Sequence, residues 1–103
     1  MYIYNVTTNI DERLHEKWLT WMKETHIPAM LATKKFTNAK LCRVLVEEEM
    51  GGFTYSTQYT TPSKKILEKY YEEDAPLLTQ NALKLFADKM FVFNTELEVI
   101  SEL

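Results

Sequence analysis

Apolar and polar positions alternate in some stretches of the chain and recur at helical spacing in others. Residues 2–8 (YIYNVTT) are rich in aromatic and β-branched types and read as a first strand. Asn9 then offers a side chain that can accept from free backbone N–H groups, with Glu12 three residues on, as in a capping box. Leu14, Trp18, Trp21, Met22 and Thr25 follow at spacings of three and four. That predicts a helix with an apolar stripe, and with Glu16, Lys17, Lys23 and Glu24 largely opposite. Pro28 is expected to end or bend this helix, because the residue before a proline avoids helical angles; residues 29–32 add one more turn.

Residues 39–49 (AKLCRVLVEEE) read as a second strand that ends in an acidic run. Met50-Gly51-Gly52 suits a tight hairpin, since glycines take positive φ angles freely. Residues 53–60 alternate as a third strand, with Phe53, Tyr55, Thr57 and Tyr59 on one face and Thr54, Ser56, Gln58 and Thr60 on the other. Thr61-Pro62 reads as an N-cap followed by the first helical residue. Ile66, Leu67, Tyr70 and Tyr71 give this second helix its apolar face. Pro76 interrupts it, Asp74 is placed to cap a second segment, and Leu78, Ala82, Leu85 and Phe86 continue the stripe. Residues 90–100 (MFVFNTELEVI) form a fourth strand with Phe91, Phe93, Leu97 and Val99 on one parity.

The order is βαββαβ, a ferredoxin-like α+β fold with a four-stranded antiparallel sheet. Helices cover only one face of such a sheet. The other face is expected to carry Thr, Ser and Gln from strand three, Val or Leu from strand two and aromatics from strand one. That mixture suits neither water nor helices, and packing against an identical sheet resolves it. A twofold homodimer through the open face is therefore expected.

The chain has 103 residues, which suits a single domain over 1–103. Hydrophobic residues at 46% suffice for a packed core. A net charge of -3, with Lys and Arg scattered, argues against a nucleic-acid partner, which needs a basic stripe. No apolar run approaches the roughly 20 residues that span a bilayer, and the start of the chain does not read as a signal peptide. The lone Cys42 has no partner for a disulfide or a metal cluster and reads as a small buried apolar residue; a cytoplasmic location fits this cysteine usage.

Four stretches carry a family resemblance: Tyr2-Ile3-Tyr4-Asn5-Val6-Thr7, the run from Trp18 to Pro28 (WLTWMKETHIP), the hairpin VEEEMGGFTYSTQYTT, and Tyr70 to Leu77 (YYEEDAPL). On these the chain resembles a small family of bacterial domains of unknown function within the dimeric α+β barrel superfamily. A looser similarity to that superfamily covers residues 21–43: Trp21, then His26-x-Pro28, Leu31, Phe36 and a basic residue, Lys40 or Arg43. Relatives usually carry Pro-Gly before that Phe, where this chain has Lys34-Lys35. The resemblance implies the ferredoxin-like fold and a broad set of roles, among them aromatic-polyketide monooxygenases, haem proteins, lactone isomerases and sugar mutarotases. Fold analogy does not choose among them.

His26 is the strongest candidate for chemistry. It is expected near the C-terminal end of the first helix, where the dipole favours its charged form, and it can move a proton to or from a ligand. The plainer alternative is that it caps the last carbonyls. Trp18 and Trp21 can line an aromatic pocket or simply pack the core. Tyr55 and Tyr59 share one strand face and bring hydroxyls. Asn5 resembles an active-site Asn on the first strand of some barrel monooxygenases. His15 is read as facing solvent, and a shared His15–His26 metal site as unlikely to form across eleven residues of helix. Glu47-Glu48-Glu49 and Glu72-Glu73-Asp74 are read as a solvated hairpin end and a helix-break cluster, not as cation sites. No phosphate loop, dinucleotide fingerprint, paired-Cys zinc pattern or serine elbow occurs, so no cofactor is expected. A lone His is thin support for haem. The leading expectation is a homodimeric binder of a small hydrophobic or aromatic ligand. The alternatives are a cofactor-independent monooxygenase or isomerase using His26 as acid/base, and a purely structural dimer with a filled interior.

Overall fold

In a computed structural model, which describes residues 1–46 and 51–103, strand β1 (Tyr2–Ile10) opens the chain. A continuous helical stretch follows: a 3-10 turn, α1 (His15–Trp21), a π turn (Met22–His26) and α2 (Ile27–Ala32). Then come β2 (Asn38–Arg43), β3 (Phe53–Thr61), α3 (Lys64–Glu73), α4 (Ala75–Phe86) and β4 (Met90–Glu98). The sheet order is β2-β3-β1-β4, with every neighbouring pair antiparallel. This is the ferredoxin-like arrangement, with all helices on one face.

Several boundaries differ from the sequence expectation, each for a local reason. β1 runs on to Ile10 because that residue shares parity with Tyr4, Val6 and Thr8 and is wholly buried against Trp18, Met22, Tyr55 and Phe86. Asn9 therefore stays in the strand, its amide on the Thr54 hydroxyl at 3.2 Å, and Asp11 caps the helix by accepting from the Arg13 N–H at 2.8 Å. Thr61 is likewise retained by the sheet, opposite Tyr2, and Ser63 caps α3 by accepting from the Ile66 N–H at 3.2 Å. Asp74 does not cap α4 with its side chain; its carboxylate holds the Lys35 ammonium at 2.8 Å. β2 stops at Arg43, and β4 stops at Glu98. Glu47-Glu48-Glu49 and Met50 lie outside the described residues. Gly52 has φ +79, and a Cβ there would sit 2.7 Å from the Ile10 carbonyl oxygen, so only glycine fits.

The core forms two clusters between sheet and helices. One gathers Tyr4, Met30, Phe36, Tyr59, Leu67 and Tyr70; the other gathers Ile10, Trp18, Met22, Tyr55 and Phe86. The strand-one aromatic Tyr4 is thus buried under the helices and does not contribute to the open face as expected. The open face has a polar centre instead. Ser56 donates to the Asn5 side-chain oxygen at 2.5 Å, and Asn5 donates to the Thr7 hydroxyl at 3.3 Å. Its most exposed apolar residues come from the edge strand β4, where Phe91 is 73% and Phe93 65% exposed. Cys42 lies on this face opposite Ser56, half-buried. Among the described residues no helix is long and apolar enough to cross a membrane.

Candidate functional site

A cavity of about 150 Å³ lies between the sheet and the helices, on the β1/β4 side. Strand parity builds its floor. Tyr4, Val6 and Thr8 point toward the helices from β1, and Val92 and Asn94 do so from β4, opposite Thr8 and Val6. Trp18, Trp21, Met22 and His26 descend from α1 and the π turn to form one wall. The inner end is closed by the buried Met30, Tyr59 and Tyr70. Thr79 and Leu83 of α4 with Val92 and Asn94 of β4 are exposed, which places the mouth between α4 and the edge strand.

Pro28 does not end the helix; it sits in the first turn of α2. Proline removes an N–H and crowds the carbonyl four residues back, and the π turn just before it widens the helix at that point. The Ile27 N–H bonds to the Met22 carbonyl, five residues back. That register matters for the site. Five residues of regular α-helix rotate a side chain by about 140° from its start, yet here Trp21 and His26 stack at 4.6 Å between ring centroids with planes 23° apart. Trp21 is held in turn edge-on against Phe86 at 5.2 Å.

His26 is therefore interior to a continuous helix and does not cap carbonyls at its end. Burial lowers its pKa from 6.5 to about 4, the reverse of the dipole effect expected from the sequence. Its ring is neutral at pH 7, and among the described residues no side chain hydrogen-bonds to it. It can donate from one ring nitrogen and accept at the other. Burial pushes the Tyr59 phenol well above its usual range and the Tyr4 phenol up to about 12, so both also stay neutral. No Asp, Glu, Lys or Arg lines the cavity among the described residues.

Of the residues singled out in the sequence, Trp18, Trp21, His26 and Tyr59 are brought together here. Asn5 and Tyr55 are not. Asn5 has the opposite parity to Tyr4 and Val6 and joins the polar centre of the open face. Tyr55 belongs to the second core cluster, where its hydroxyl is hydrogen-bonded to the His15 ring. His15 accordingly does not face solvent: its side chain is 13% exposed and stacks on Phe53 at 4.1 Å. It falls on the stripe of Trp18 and Met22 at spacings of three and seven, a periodicity that already placed it inward. Asn94 and Thr79 were missed. Asn94 was legible as the polar member of the Met90, Val92, Asn94 parity, opposite the Phe91 and Phe93 set.

Residues 1–100 match the family described as a domain of unknown function, DUF4286. No curated protein matches the chain. Among solved structures, it is similar to a dimeric ferredoxin-like protein from an uncultured marine organism, with TM-score 0.76 and 12% identity over 99% of this chain and 97% of that one. It is also similar to an ethyl tert-butyl ether D (EthD) family protein of Bacillus halodurans C-125, with TM-score 0.67 and 14% identity over 92% and 97%. A candidate antibiotic biosynthesis monooxygenase from Deinococcus radiodurans aligns with TM-score 0.63 and 10% identity over 100% and 96%. At these identities the likeness establishes the fold alone.

Proposed function

The chain belongs to the DUF4286 family, a domain of unknown function, and we propose that it acts as a homodimeric binding domain for a small hydrophobic or aromatic ligand held beneath α4. The observation that carries this reading is the cavity of about 150 Å³, walled by indole, phenol and thioether groups with few polar ones. Apolar concave sites with a few placed polar groups are the usual make-up of a ligand pocket. A purely structural dimer has no need of the space.

The dimer half of the proposal rests on the open face. Exposed Phe91, Phe93 and Leu97 cluster along β4 beside a polar strip, and two similar structures are described as dimeric ferredoxin-like proteins. Apolar side chains displayed this way gain from burial against a second copy. Light scattering should give a mass near twice 12.2 kDa, and Phe93→Glu should return the monomer. A wild-type monomer at micromolar concentration would contradict the pairing. Binding is tested by thermal unfolding with neutral aromatic compounds. A ligand at about 100 times its Kd stabilises the fold by about 2.7 kcal/mol; no shift with any of them would contradict the reading.

A second reading, a cofactor-independent monooxygenase or isomerase, is favoured by one feature. The His26 ring lines the cavity and has no side-chain hydrogen-bond partner among the described residues, so a bound molecule can reach its ring nitrogens directly. Turnover of an aromatic compound that His26→Leu abolishes while binding persists would select it.

A further inference from the structure

We infer that the cavity takes an uncharged, single-ring aromatic compound bearing a hydroxyl, with that hydroxyl paired to His26. The inference rests on the binding reading above and adds the class of ligand. Size sets the first limit. A cavity of about 150 Å³ matches the space in which an engineered apolar cavity of about 150 Å³ holds benzene, and it excludes a fused polycyclic ligand lying wholly inside. Charge sets the second. With no Asp, Glu, Lys or Arg in the lining among the described residues, a carboxylate or ammonium would be desolvated without a counter-ion.

The third limit is polarity. A purely apolar pocket rejects a hydroxyl, because the group leaves water with nothing to bond. Here His26 offers a ring nitrogen with no side-chain partner among the described residues. Its ring is oriented by the Trp21 stack at 4.6 Å, so it does not have to be immobilised on binding. Burial keeps that ring neutral, able to accept from a hydroxyl. Tyr59, 1% exposed, adds a phenol at the inner end with no hydrogen-bond partner among the described residues.

The test measures toluene, phenol and benzoate by calorimetry on the intact dimer at pH 7, for wild type and for His26→Leu, which keeps the bulk and apolar stem. Phenol should bind wild type at least as tightly as toluene, and benzoate at least about tenfold more weakly than phenol. In His26→Leu the preference for phenol over toluene should fall by about tenfold, the worth of one hydrogen bond, while toluene binding holds within about threefold. Toluene binding without phenol binding, or a phenol preference unmoved by the substitution, overturns the inference and leaves the cavity reading intact. Failure of both neutral compounds to bind overturns both. Should His26→Leu not fold, His26→Gln serves: it retains a hydrogen-bonding group and should keep phenol binding within about threefold, and a tenfold loss there contradicts the assignment.

Discussion

The two halves of the helix-covered face are built on one sheet and yet end differently. Beneath α2 and α3 the space is filled. Tyr4, Phe36, Tyr59 and Tyr70 interlock with ring centroids 5.0–6.2 Å apart, and Leu67 beside them is fully buried. Beneath α4 it is hollow, and the ring stack forms the hollow's inner wall. The difference lies in side-chain reach. The filled half sets rings against rings. The hollow half sets Ala82 and Thr79 of α4 over Val6, Val92 and Asn94 of the sheet, none long enough to close the gap. Well-packed interiors rarely tolerate a void of this size, since its lining forfeits dispersion contacts.

The sharpest way to break this comparison is to truncate one leucine in each half. Leu67→Ala should cost about 3–4 kcal/mol, because the ring stack cannot collapse into the space. Leu83→Ala, at the exposed mouth, should cost under about 1 kcal/mol. Equal losses in urea unfolding would mean the halves are packed alike. Next in size is acid sensitivity. The folded-state pKa of His26 lies below its free value, so as pH falls the unfolded chain takes up the proton first. The neutral ring's contribution is complete above about 6.5 and is lost as pH falls toward 4, amounting to about 3 kcal/mol at most. The loss should be visible as the difference between wild type and His26→Gln across that window. A parallel pair of curves would remove the buried neutral ring from the hollow half. The smallest effect on stability should come from Leu83→Trp, within about 1 kcal/mol, while the stabilisation conferred by toluene disappears. Retained toluene stabilisation in that variant would place binding elsewhere.

The element order and the alternation of β3 were legible in the sequence, because a period of two over nine residues has few alternative readings. Trp21 and His26 stood out in the sequence as members of one motif, and the π turn stacks their rings. What was not legible follows from competition between local and tertiary preferences. Asn9 and Thr61 are good caps in isolation, but Ile10 is buried beneath the helices and the ladder holds Thr61 opposite Tyr2, so both helices start downstream. Pro28 announces a break, and nothing in the local pattern says that a π turn will absorb it. The consequence is large: His26 is a half-buried ring whose neutral form is favoured, where a helix end would have favoured the charged form. Strand parity puts Asn5 on the open face. Tyr55 shares the parity of Tyr59 but stands four residues away along β3, in the second core cluster against His15.

The most direct measurement is methyl NMR of the protein titrated with toluene. The Met22, Met30, Leu83 and Val92 methyls line the cavity, whereas Leu41, packed against the second core cluster, does not. The expected result is a saturable shift at those four residues with Leu41 unmoved. No saturable shift, or shifts spread equally to Leu41, would contradict a ligand cavity beneath α4.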